Sequence, residues 1–100
     1  MAFLVKKFGG SSVATAEKIQ AVAERIIWTK EEQDRVVVVV SAMGDTTDEL
    51  ISLAQKVCGA PYSHARELDQ LLTTGEQVSI ALLAMALRSK GCPAISLTGP

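Results

Sequence analysis

The sequence predicts an α/β fold built on a mainly parallel sheet. Three observations lead there: a loosely alternating stretch, Ala2 to Phe8, that stops at Gly9-Gly10-Ser11-Ser12; a helical apolar period from Thr15 to about Glu31; and five consecutive valines, Val36 to Val40. Strand, helix and buried strand make a βαβ unit, whose crossover is expected to be right-handed and whose ligand crevice lies beyond the carboxyl ends of the strands.

The first strand puts Phe3, Val5 and Lys7 on one face and Leu4, Lys6 and Phe8 on the other. In the helix that follows, Ile19, Val22, Ala23, Ile26 and Ile27 recur at helical spacing, and Glu17, Lys18, Glu24, Arg25 and Lys30 fill the solvent side. The valine run lacks alternation, which is how a strand buried on both faces reads. After Ser41-Ala42-Met43-Gly44-Asp45, the pair Thr46 and Glu49 fits a capping box for a helix turning Leu50, Leu53, Ala54 and Val57 inward, ended by Cys58-Gly59-Ala60-Pro61. A short helical piece is expected from Ser63 to Leu72. Thr73-Thr74-Gly75-Glu76 then offers a second capping box for a fourth helix that is apolar all round from Val78 to Leu87, as suits the inside of something larger. Gly91 caps that helix, and Pro93 to Thr98 reads as a third strand stopping at Gly99-Pro100.

Composition narrows the function. The 100 residues are 48% hydrophobic and 21% charged, which excludes disorder, and 10 Lys plus Arg against 11 Asp plus Glu leave no basic stretch to follow a nucleic acid backbone. The longest uninterrupted apolar run, Ile80 to Leu87, is far shorter than the roughly 18 residues of a membrane span, so no membrane partner is expected. The opening Met-Ala-Phe-Leu-Val-Lys-Lys reverses the order of a signal peptide, which points to a cytoplasmic protein. Cys58, Cys92 and the single His64 have no metal-ligand spacing, so no metal site and no role is assigned to them.

Three segments could carry chemistry. Lys7-Phe8-Gly9-Gly10-Ser11-Ser12 sets a lysine at a strand end before glycines and hydroxyls, an arrangement whose backbone N–H groups and point charge suit phosphate. It matches no established phosphate-loop pattern and equally serves a tight turn with a solvated lysine. Ser41 to Asp48 follows the valine strand, where Ser41 and Thr47 can donate to a carboxylate or phosphate, or where Thr46 through Glu49 simply cap a helix. In Thr73-Thr74-Gly75-Glu76, Glu76 either closes a capping box or accepts from a ligand ammonium.

Taken together and in order, KFGGSSV at 7–13, VVVVVSAMGDTTDEL at 36–50 and RELDQLLTTGEQVSIALLAMAL at 66–87 closely resemble the opening of the aspartokinases, within the amino-acid kinase family. The resemblance covers nearly the whole chain. Ser11 stands where many members have threonine, which keeps the hydroxyl. The resemblance implies an αβα sandwich of which residues 1–100 are only the N-terminal portion, without the nucleotide half and the regulatory domains. It implies transfer of the ATP γ-phosphoryl group to the side-chain carboxylate of L-aspartate, on the route to lysine, threonine and methionine. Lys7 would be catalytic, and Lys7, Phe8, Gly9, Gly10 and Ser11 would hold the nucleotide phosphates. Ser41, Thr47 and Glu76 would bind the amino acid, with the ligands of magnesium outside this chain. The partners implied are aspartate, ATP and either further copies or the missing part of the protein. Another kinase of the same fold, acting on glutamate, acetylglutamate, carbamate or a nucleotide, is the runner-up, against which the TTGE segment argues; a non-catalytic interaction module is the alternative of a different class. The isolated piece is expected to be inactive.

Overall fold

The computed structural model describes residues 3–32 and 35–97. The expectations for Ala2, for Gln33-Asp34 and for 98–100 lie outside the described residues. The elements are β1 (Phe3–Phe8), a 3-10 turn (Gly10–Val13), α1 (Ala16–Lys30), β2 (Arg35–Val40), α2 (Thr46–Cys58), a second 3-10 turn (Pro61–Ser63) and α3 (Ala65–Ser89).

β1 and β2 pair in parallel, from Phe3 opposite Arg35 to Phe8 opposite Val40, so the βαβ unit forms as its pattern predicts. α1 starts where Thr15 can cap it: the Thr15 hydroxyl accepts from the Lys18 N–H at 3.2 Å. Ile19, Val22, Ala23 and Ile26 then bury one stripe of the helix. Each of the larger aliphatic side chains contributes about 1.5–3 kcal/mol when fully buried. They meet Phe8 and Val40 from the sheet and Leu83 and Leu87 from α3 in one core, with Val13 fully enclosed beside them.

All of this packing lies on one side of the sheet. Phe8 and Val40 are buried on the covered face, whereas Val5, Val37 and Val39 are 57%, 43% and 47% exposed on the other. The valine run is therefore a strand covered on one face, not two, because no described element reaches its second face. The radius of gyration, 15.4 Å, exceeds the ~13 Å of a compact chain of this size, as an open slab should.

The Pro93–Thr98 strand does not form over the residues described. Residues 93–97 make no ladder with β2, and an apolar cavity of about 530 Å³ lies between that segment, β2, α1 and α3. Strand addition draws its stability from side chains packed on the sheet faces, and here the cavity separates Ile95 and Leu97 from β2 and leaves them exposed.

α3 is one continuous helix of 25 residues rather than two pieces. Its buried positions, Leu68, Gly75, Ser79, Leu83 and Leu87, keep a helical period straight through Thr73-Thr74-Gly75-Glu76, and that packing overrides the local capping signal. The Thr73 and Thr74 hydroxyls donate back to the carbonyls of Asp69 and Leu71, both at 2.6 Å, so neither caps a helix start. Past the helix end, Gly91 takes φ +82° while its N–H bonds to Arg88 O and that of Cys92 to Leu87 O, the paired bonds of a Schellman ending. Among the described helices α3 is the one long and apolar enough, by length and composition, to cross a membrane. Here it packs on α1, α2 and β2 and leaves Val78, Leu82 and Met85 open.

α2 begins at Thr46, yet the expected capping box is absent. A turn closed by Thr46 N–H to Met43 O at 2.9 Å makes Asp45 the capping position, so Thr46 is already inside the helix. Its apolar stripe is not buried either: Leu53 and Val57 border an open groove of about 400 Å³ shared with Leu68 and Leu71 of α3.

Candidate functional site

The three segments singled out in the sequence converge at the carboxyl ends of β1 and β2. The backbone joins the first two: Ser41 N–H donates to Phe8 O at 3.1 Å and Gly44 N–H to Gly10 O at 2.9 Å. The third arrives on α3, where Gly75 packs against Ala42 and Thr46.

Lys7 lies in register with Val39, on the face of the sheet left open, and its side chain is exposed. Phe8 is different. Its ring is buried in the core with the Arg25 guanidinium carbon 5.6 Å from the ring centroid, so only its backbone faces the turn. Gly9 precedes the 3-10 turn, which closes with Ser12 N–H to Gly9 O at 3.1 Å. Among the described residues, the N–H groups of Gly9, Gly10 and Ser11 have no backbone or side-chain acceptor. Lys18 donates to Ser11 O at 3.1 Å and holds the turn to the first turn of α1. Sequence reasoning placed Lys18 merely on the solvent side of its helix; its position three residues after the cap, on the turn side, was the signal available.

Ser41 is half-buried just past β2, while Thr47, in the first turn of α2, and Glu76, in the middle of α3, are exposed. No hydrogen bond or ion pair occupies the Ser41, Thr47 or Glu76 side chains among the described residues. A capping role for Glu76 is excluded, because α3 runs through it. Among the described residues no three Asp, Glu, His or Cys side chains gather as a metal site.

This geometry brings an exposed lysine, a glycine turn with free N–H donors, two hydroxyls and one carboxylate to one edge of a parallel sheet. Donors of that kind suit phosphoryl oxygens and a carboxylate, and a lone acidic side chain suits an ammonium. In a comparison with known families, residues 2–100 match the one described as the amino acid kinase family.

The chain belongs to that family.

Similarity to individual members is high. An aspartokinase of Mycobacterium bovis is 63% identical over 99 residues, 99% of this chain and 23% of that protein. One of Geobacillus stearothermophilus is 58% identical over 99% of this chain and 24% of its own length. Among solved structures, aspartate kinase from Synechocystis superposes with a TM-score of 0.90 at 57% identity, covering 96% of this chain and 16% of that one. The chain thus has the α/β amino acid kinase fold and spans about a quarter of the curated relatives it matches.

Proposed function

We propose that residues 1–100 are the N-terminal portion of an amino acid kinase domain that transfers the γ-phosphoryl group of ATP to the side-chain carboxylate of L-aspartate. The observation that carries this reading is the backbone union of the Gly9–Ser12 turn with the Ser41–Gly44 loop at the carboxyl ends of two parallel strands, an arrangement that would suit phosphate oxygens beside an amino-acid substrate.

An aspartate carboxylate is ionised and nucleophilic at neutral pH, so the reaction needs no proton-abstracting base from the protein. Positioning and charge neutralisation carry the catalysis. In this reading Lys7 stabilises charge on the transferring phosphoryl group, and the N–H groups of Gly9, Gly10 and Ser11 hold phosphate oxygens. Glu76 accepts from the substrate α-ammonium, and Ser41 and Thr47 donate to its carboxylate oxygens. Magnesium accompanying ATP neutralises phosphate charge when bound and takes its protein ligands from outside this segment. Its product, 4-phospho-aspartate, feeds lysine, threonine and methionine synthesis in the cytoplasm. The remaining part of the protein, or a further copy of it, completes the assembly.

The test uses a chain of the relatives' length that carries this segment. With ATP, aspartate and hydroxylamine, it is expected to form the hydroxamate that traps an acyl phosphate, in step with ADP release. Equal or better turnover with glutamate, acetylglutamate or carbamate would move the reading to another kinase of the fold. No ATP turnover with any of them would leave the non-catalytic interaction module.

A further inference from the structure

Two glycines in the candidate site leave less than an ordinary contact for a side chain, and both meet the same residue. A Cβ on Gly10 would stand 2.8 Å from Ala42 O and 3.3 Å from Gly44 O. A Cβ on Gly75 would stand 3.0 Å from Ala42 Cβ and 3.1 Å from Thr46 Cγ2. Carbon atoms in ordinary contact lie about 3.5–4.0 Å apart, so a Cβ at Gly10 collides with backbone, and one at Gly75 fits only if Ala42 and Thr46 give way by a few tenths of an ångström. Ala42 is itself buried, wedged between the turn that follows β1 and the middle of α3.

Gly75 is the more telling of the pair. It sits in the interior of a 25-residue helix and does not adopt a positive φ. Glycine is the least favourable helix-interior residue after proline, and nothing in the backbone at Gly75 excludes alanine. Close approach to the loop is what the absent side chain provides. Glu76 is the next residue in the chain, and Thr46, the atom closest to Gly75 after Ala42, precedes Thr47.

We infer that Gly75 is a positioning residue for amino-acid binding: by seating α3 directly on Ala42 and Thr46, it fixes the distance from Glu76 to Ser41 and Thr47. The inference rests on the aspartate reading of the site. A methyl group at residue 75 pushes α3 off the loop and separates the carboxylate meant for the substrate ammonium from the hydroxyls meant for its oxygens. The nucleotide turn, held to the loop by its own backbone bonds, stays in place.

The experiment compares Gly75→Ala with Gly75→Ala combined with Ala42→Gly, and with Thr46→Ser, in a chain of the relatives' length. Gly75→Ala is expected to raise the aspartate KM about tenfold or more, with the ATP KM within about twofold of the parent. Removing the opposing methyl, from Ala42 or Thr46, is expected to recover most of that loss, which a general loss of helix packing would not show. Ala42→Ser, which enlarges the same contact from the loop side, gives the same selective rise and serves if Gly75→Ala does not fold. An unchanged aspartate KM in both Gly75→Ala and Ala42→Ser, or a rise that neither second-site change relieves, overturns the inference. A parent enzyme without aspartate-dependent transfer overturns the reading beneath it instead, before any variant is compared.

Discussion

At the carboxyl ends of β1 and β2 the chain is packed so closely that a methyl group would clash at Gly10 and would be tighter than ordinary contact at Gly75, whereas the open face of the same two strands leaves Val5, Val37 and Val39 about half exposed. The first region is built from contacts within this segment: two backbone bonds, two glycine contacts and the Lys18 tether. The second has its apolar surface in place and nothing described that covers it. The geometry of the proposed site can thus be set locally while the layers that shield it are not. The contrast also explains why residues with proposed chemistry cluster where the backbone is most constrained, since a site must hold its donors still before it can hold a reactant.

The largest expected effect strikes the open side. The 100 residues alone are expected to show no aspartate-dependent ATP turnover and to self-associate in sedimentation velocity, because exposed valines on an unpaired sheet edge and face invite further pairing. Replacing Val5, Val37 and Val39 with threonine should shift that association toward monomer. A cooperative, active monomer would erase the distinction between the two regions.

Next comes Lys7, which belongs to the tight corner by its backbone and to the open face by its side chain. In a chain of the relatives' length, Lys7→Ala is expected to lower kcat about a hundredfold or more, since one preorganised charge on a developing oxyanion is worth about 2.7–4 kcal/mol. The melting temperature should stay within a degree or two of the parent, about the effect of a surface substitution. Near-normal turnover would remove Lys7 from the mechanism.

Glu76 gives a smaller and more selective effect. Glu76→Gln is expected to raise the aspartate KM about tenfold while ATP binding and thermal stability hold, because the carboxylate faces solvent in mid-helix and supports no cap. A fall in stability with the aspartate KM unchanged would assign it a structural role.

Much of this was legible in the residues themselves. The helical period from Thr15 through Ile19, Val22, Ala23 and Ile26 marked α1 to within a residue, and the valine run marked β2, because local pattern and tertiary packing agree there. The sidedness of the valine run was not legible, since five identical residues carry no alternation, and which face is covered depends on elements elsewhere. TTGE misled in a definite way. It satisfies a capping-box pattern, but Leu68, Gly75, Ser79, Leu83 and Leu87 continue one buried stripe across it, with a glycine and a serine taking core positions that an apolar scan passes over. The same oversight hid Gly75 and Ala42, whose contribution is the absence of bulk.

The central claim is that the turn after β1, the loop after β2 and the middle of α3 act as one substrate site, and amide hydrogen exchange in a chain of the relatives' length tests it most directly. A non-hydrolysable ATP analogue is expected to slow exchange at Gly9, Gly10 and Ser11, whose N–H groups have no acceptor among the described residues, by about tenfold or more. Aspartate added alone should instead protect the backbone around Thr47 and Glu76. Saturating nucleotide that leaves Gly9, Gly10 and Ser11 exchanging at their free rate would contradict the account.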